Sequence, residues 1–370
     1  CLDATDRAFH EGACGLSFGL GYSPGMFSPL VELEAFCAVA ARHDKPVTVH
    51  LKALSRLSPC YPPTDLRPHN LRALREVLDI GRRTGARLQL SHFIFVGRRS
   101  WATADRCLAL VEQARDEGLD VMVDAFPYTY GNTTVNVVLP YWFLAQLPRS
   151  YHSRTARLRL TAELEIGFRA VGFGYGDFRI MDTGVEGWER WNGLRLPELA
   201  ARWSVSCLEA LLRLSEKSRG SALILFGTYS GEPGREGALE RVLTRPYCLY
   251  ETDAVVLRKG HPNPAAFGTF PRILGEFVRR RMLLSLEDAV HRSTGASAAR
   301  FGLSDRGVLA PGLAADVVVF DPESVLDAPG SGAVPATRPK GIEHVFVDGA
   351  HAVSAGRFLP GVRAGRVLRT

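Results

Sequence analysis

The sequence predicts an α/β fold: a parallel barrel of βα units followed by a small β-rich appendage. Three observations carry this expectation. Short apolar runs alternate with helical patterns of about 15 residues through the first two-thirds of the chain. At 370 residues, the chain is long enough for one large barrel plus an appendage. After Arg300 the texture changes to short β-like runs punctuated by Gly, Pro and Asp.

In order, 28–44 places Leu30, Leu33, Phe36, Cys37 and Ala40 at helical spacing, with Ser28 and Pro29 as cap and first turn. Residues 46–50 read as a short buried strand, and 70–85 as a helix through Leu71, Leu74, Val77 and Leu78. The next strand is 87–92. It is followed by a helix over 102–118 through Leu108, Val111 and Ala114, and a strand over 119–124. A less regular insertion at about 139–220 holds an Arg-rich helix candidate at 150–168 and a Gly/Trp-rich segment; insertions of that length usually cover the mouth of a site. Two further strands are expected at 222–226 and 246–253, the first alternatively part of a connection. The domains are therefore read as 1–300, a barrel interrupted by the insertion, and 301–370, the β appendage.

Composition narrows the function classes. With 46% hydrophobic and 23% charged residues the chain is globular, not disordered or fibrous. No apolar run reaches the roughly 18 residues of a membrane span. The net charge of +6 is mild, and no nucleic-acid motif accompanies it, so neither nucleic acid nor membrane is expected as a partner. Seven dispersed cysteines without a Cys-x-x-Cys pair suit reduced thiols. The opening CLDATDRAFH lacks a basic segment followed by an apolar one, and a cytoplasmic location is the expectation.

His50 and His92 are the sharpest chemical feature. Each ends a predicted strand, on consecutive βα units, and consecutive strand ends of a parallel barrel lie side by side on the face that carries chemistry. Two imidazoles there can share one divalent metal. Asp253, at the end of the last predicted strand, could move a proton beside such a metal, although alone it reads as a helix N-cap. Asp124 also ends a strand, and is either a residue that orients a histidine or an ordinary turn. His261 to Phe270 is dense in turn formers, so it either lines a pocket or is a plain loop. Tyr22 lies in a tight turn from which its hydroxyl could reach a substrate. Gly15-Leu-Ser-Phe-Gly19 matches the string of a nucleophile elbow, but a Gly/Pro turn follows where a helix is needed, so Ser17 is read as a strand residue.

Several segments together resemble the N-acyl-D-amino-acid deacylases (D-aminoacylases) of the metal-dependent amidohydrolase superfamily. They are Gly12-Ala-Cys-Gly-Leu-Ser-Phe-Gly-Leu20 with Tyr22-Ser-Pro-Gly25, Thr48-Val-His50, Leu90-Ser-His92, Asp124-Ala-Phe-Pro-Tyr-Thr129, Glu251-Thr-Asp253, Phe267-Gly-Thr-Phe-Pro-Arg-Ile-Leu-Gly275 and Arg306-Gly-Val-Leu-Ala-Pro-Gly-Leu-Ala-Ala-Asp-Val-Val-Val-Phe-Asp321. Their order matches the family along nearly the whole chain. The resemblance implies a distorted (β/α)8 TIM-type barrel with a small β-sandwich. It also implies one or two zinc ions held through His50 and His92 on the fifth and sixth strands, with Asp253 on the eighth as general acid/base. The reaction implied is hydrolysis of a non-peptide C–N amide bond in a small N-acyl or amide substrate.

Two departures modify the expectation. The family's His-x-His pair is not in this sequence, so the chain is expected to begin near the fourth barrel strand of a longer natural protein. The family's usual carboxylate clamp is altered: Ile94 stands where a Lys is common, and His261-Pro262-Asn263 stands where His-Pro-Arg is common. A hydrophobe and an amide cannot pair with a carboxylate by charge. Tyr22, Arg98, Arg258, His261 and Asn263 are the remaining substrate-binding candidates, and the substrate is expected to diverge. Two alternatives stand beside this reading. One is a cyclic-amide hydrolase of the hydantoinase or dihydroorotase type; the other is a non-catalytic, truncated barrel that serves as a binding partner.

Overall fold

The computed structural model describes residues 1–22, 24–62, 64–65, 67–257, 259–330 and 337–370. Its first eight strands are β1 (Leu16–Gly19), β2 (Pro46–His50), β3 (Arg87–Leu90), β4 (Val121–Ala125), β5 (Tyr130–Thr134), β6 (Phe178–Asp182), β7 (Leu223–Gly227) and β8 (Cys248–Tyr250). Five of them form one sheet in the order β1-β2-β3-β4-β8, and every pairing is parallel. Val47, Leu88, Leu90, Val121 and Val123 are all fully buried. Strands covered on both faces read as continuous apolar runs in this way, which is why they were visible in the sequence.

Helices Leu30–Arg42, His69–Thr84 and Ala104–Asp116 connect the first four strands. Helix His69–Thr84 buries Leu71, Leu74, Val77 and Leu78 and stops at Gly85, whose φ of 70° is the left-handed conformation that ends helices. Helix Leu30–Arg42 begins behind an extended Pro29, and no side chain caps it; Ser28 does not serve as the expected cap.

The segment expected as a strand at 222–226 is β7, and it does not join the parallel sheet. It is the centre of a separate antiparallel sheet, β5-β7-β6. An apolar run specifies burial but not the strand beside it, and here the partners come from the start and the middle of the excursion between β4 and β8. That excursion has its own core, in which Phe143, Leu160, Phe178, Leu199, Leu211 and Phe226 pack together. Its long helix is Arg154–Val171, where the Ser153 hydroxyl accepts from the Ala156 amide.

The stretch from His261 to Phe270 is not a plain loop. Ala265–Arg272 is helical, with the Asn263 carboxamide oxygen accepting from the Ala265 amide at its start. Gly268 faces the Tyr128 hydroxyl so closely that a Cβ would lie 2.3 Å from it. The appendage comprises β9 (Val317–Phe320), β10 (Leu326–Ala328), β11 (Thr337–Lys340), β12 (Ile342–Val347), β13 (Ala350–Ser354) and β14 (Arg357–Phe358). They form an antiparallel sheet β14-β13-β12-β9 and a β10-β11 pair. Among the described residues, no helix is long and apolar enough to cross a membrane.

Candidate active site

The two histidines come together. His50 is the last residue of β2, and His92 lies two residues beyond β3 rather than at its end. Their rings stand edge to face with centroids 4.4 Å apart, and His50 Nδ1 is 2.7 Å from His92 Nε2. Because β2 and β3 are adjacent parallel strands, this juxtaposition falls on their common C-terminal side.

Asp124 of β4 sets the turn that presents His92. Its Oδ1 accepts from the His92 amide at 2.7 Å, and its backbone carbonyl accepts from the Phe93 amide at 2.7 Å. His92 is thereby held at φ 36°, a conformation that non-glycine residues adopt only where surroundings fix it. The other carboxylate oxygen, Oδ2, accepts from Gln89 Nε2 at 2.6 Å. The sequence left Asp124 either orienting a histidine or serving an ordinary turn; the contact runs through the backbone amide of His92 and not through its ring.

Burial sets the charge states. It pushes His50 down to about 3, with His92 adding to the effect, and pushes His92 down as well. Both rings are therefore neutral, the form that binds metals. His92 Nδ1 is buried without a hydrogen-bond partner. Two neutral imidazoles in contact, one with an orphaned buried nitrogen, fit a zinc-class ion. Gly21 makes room for this arrangement, since a Cβ there would lie 2.4 Å from His50 Nε2. The exposed Tyr22 packs edge-on against His50 with ring centroids 5.0 Å apart.

Asp253 lies three residues past β8, at φ 40°. Burial raises its carboxyl to about 6, near the pH at which one group can both accept and return a proton. Its charge is felt by the buried Tyr229 and by Glu251.

Glu251 was missed as a site residue. Burial, then the charges of Asp124 and Asp253, hold its carboxyl well above the usual range, and a hydrogen bond to Asp124 acts in the same direction. Burial pushes the Asp124 carboxyl up as well, so the two acids resist ionising side by side. The available signal was a second acid two residues before Asp253 at the end of an apolar strand. Gln89, a polar residue inside an apolar strand, was the other overlooked clue.

The remaining candidates are distributed differently. Arg98 pairs through both terminal nitrogens with Asp177 at 3.0 Å and through Nε with Glu232 at 2.7 Å, so its charge is already compensated. Asn263 is fully buried; its Nδ2 donates to Asn132 and its Oδ1 accepts from Ala265, which makes it a joint of the fold. His261 is buried and, with Arg98, Tyr130, Arg179 and Thr228, lines a cavity of about 470 Å³ against the β5-β7-β6 sheet. His50, His92 and Asp253 do not line that cavity. Arg258 lies outside the described residues.

Comparison with known proteins shows what the chain is similar to. The family model described as "Amidohydrolase family" matches residues 252–353. N-acyl-D-glutamate deacylase of Alcaligenes xylosoxydans xylosoxydans is 32% identical over 362 residues, covering 98% of this chain and 62% of that protein. Along nearly its whole length the chain is similar to the D-aminoacylase branch of the amidohydrolases. The crystal structure of N-acyl-D-glutamate deacylase from Bordetella bronchiseptica, complexed with zinc and a phosphonate mimic of the tetrahedral intermediate, is similar at a TM-score of 0.75 and 29% identity, covering 100% of this chain and 65% of that one. A D-aminoacylase described for its binuclear metal centre gives a TM-score of 0.75 at 27% identity, covering 100% of this chain and 66% of that one. The chain spans under two thirds of the length of these relatives. Its parallel sheet is an arc of the TIM-type barrel, and its C-terminal strands are the β-rich part.

Proposed function

We propose that the protein of which this chain is a part is a zinc-dependent deacylase that hydrolyses the amide bond of a small N-acyl amino acid. The carrying observation is the contact of His50 Nδ1 with His92 Nε2 at 2.7 Å on adjacent strands. Relatives that act on N-acyl-D-glutamate and a zinc-complexed neighbour support the reading, and favour it over the cyclic-amide alternative.

His50 and His92 would hold zinc. When bound, the ion would supply Lewis-acid polarisation of the scissile carbonyl. Asp124 keeps His92 in place by accepting its amide, and Gln89 keeps Asp124 in place. Asp253 takes a proton from the attacking water at its carboxylate and returns it to the departing amine nitrogen. Tyr22 is exposed beside His50, which supports its meeting the substrate as it enters. Which acyl amino acid fits is a matter of the altered clamp: with Asn263 internal and Arg98 paired, neither supplies a free charge for a substrate carboxylate.

The test is zinc content and turnover of N-acyl-D-amino acids in the whole enzyme. His50→Ala and His92→Ala should each lower both. Full zinc occupancy in both variants would sink the assignment.

A further inference from the structure

Outside the proposed active site, one other group of side chains has the composition of a metal site. Asp6, His10 and His43 each offer a ligand atom, all within 4.8 Å of one another, and they are the one such cluster of three among the described residues. Asp6 and His10 lie one turn apart on helix Leu2–His10, and His43 follows helix Leu30–Arg42. His43 Nε2 is 2.8 Å from Asp6 Oδ1, and His10 Nδ1 is 3.6 Å from Asp6 Oδ2.

Those separations bracket what one ion requires. Metal–ligand bonds of about 2.0–2.1 Å at tetrahedral or octahedral angles put neighbouring donor atoms roughly 2.9–3.4 Å apart. The rings are already side by side, with His10 and His43 centroids 4.8 Å apart at 86°. The buried Phe9 packs against His43 at 5.1 Å, which fixes one wall of the cluster. His10 is 69% exposed, so an ion can reach the site from solvent.

We propose that Asp6, His10 and His43 form a divalent-cation site of the zinc class at the pole of the sheet opposite His50 and His92. Two imidazoles and one carboxylate suit zinc and its neighbours in the first transition row better than magnesium or calcium. On binding, His43 Nε2 gives up its hydrogen bond to Asp6 and the ring, kept neutral, carries its one proton on Nδ1 instead. His43 stands three residues before β2, so the site sits at the strand's entry end, while His50 closes its exit end. The bound ion ties helix Leu2–His10 to helix Leu30–Arg42. Its competitor is Arg42, whose Nη2 is 3.5 Å from Asp6 Oδ1; Arg42 is 61% exposed and can swing aside.

The experiment is equilibrium dialysis of the chain against zinc alone, with bound metal counted by mass spectrometry. His10→Ala and Asp6→Asn should each bind one zinc fewer than the wild type, and each should lose part of the zinc-induced rise in melting temperature. Arg42→Ala should bind zinc several-fold more tightly at this site. His10→Ala is the decisive variant because its ring is exposed and bonds otherwise only to its own helix. Equal zinc uptake and equal affinity in wild type and His10→Ala would overturn the proposal. The His50→Ala and His92→Ala variants read the other site separately, so failure of one assignment leaves the other standing.

Discussion

Gln89 Nε2 lies 2.6 Å from Asp124 Oδ2, and the same carboxamide accepts through its oxygen from Arg300 Nε at 3.2 Å. A carboxamide can donate on one side and accept on the other, and Gln89 does both here. Arg300 comes from helix Gly295–Arg300, 211 residues away in sequence, and also donates to Asp120 and to the Leu88 carbonyl. A chain of buried polar contacts thus runs from Arg300 through Gln89 and Asp124 to the His92 amide.

Gln89→Met tests that chain. Methionine fills the space but leaves Asp124 Oδ2 and Arg300 Nε each without a partner. Orphaned buried groups cost about 1–3 kcal/mol each. Denaturant unfolding should show a loss of that order, and zinc affinity at His50 and His92 should weaken in step. A stability unchanged within a few tenths of a kcal/mol would mean that water replaces the amide.

Asp253→Asn should retain zinc and lose roughly two or more orders of magnitude in turnover. With the wild-type carboxyl raised to about 6 by burial, its basic form is populated only above that pH. Activity should therefore rise with pH through an acid limb near 6, and the limb should vanish in the Asn variant. A wild-type profile flat from pH 5 to 8 would remove Asp253 from the proton-transfer role.

Glu251→Gln separates a proton-sharing pair from a charged one. The Glu251 carboxyl is held well above its ordinary value, so the folded chain binds a proton that the unfolded chain releases at neutral pH. The stability this contributes is fully present below the unfolded value of about 4.3 and is lost as pH rises through the folded one. Glutamine cannot ionise and still donates to Asp124. The melting temperature of the variant should fall less steeply with pH above about 5 than that of the wild type. Parallel curves would show that Glu251 is ionised in the folded protein.

Asn263→Arg restores the His-Pro-Arg sequence common in the family, and the structure predicts that it fails to restore a clamp. Asn263 has no exposed surface, and both ends of its carboxamide are engaged. An arginine there buries an unpaired charge and removes the bond at the start of helix Ala265–Arg272, at a cost of about 3–5 kcal/mol. Calorimetry should show a lowered melting temperature with no gain in affinity for N-acyl carboxylates. An unaltered melting temperature with a lower KM would show that the loop can turn this side chain outward.

The sequence made β2, β3 and β4 legible because a strand buried on both faces leaves a short apolar run, and Gly85 marks where the helix before β3 must stop. It misled at β7, whose Leu-Ile-Leu-Phe looks the same beside parallel or antiparallel neighbours. His50 and His92 stood out because equivalent positions on consecutive units converge in space. Glu251 did not, because its role depends on a neighbour, Asp124, from another strand. Arg98 and Asn263 looked available for the same reason: proximity in sequence shows a side chain's chemistry but not Asp177, Glu232 or Asn132 waiting to occupy it.

The stretch just after His92 is sewn to the end of β7. Phe95 donates to the Ser230 hydroxyl and accepts from the Ser230 amide, while the Thr228 carbonyl accepts from both the Gly97 amide and the Trp101 indole. The excursion between β4 and β8 is therefore not a detachable cassette. Exchanging it between relatives to graft a new specificity would need residues 93–101 to travel with it, or the seam would open beside His92.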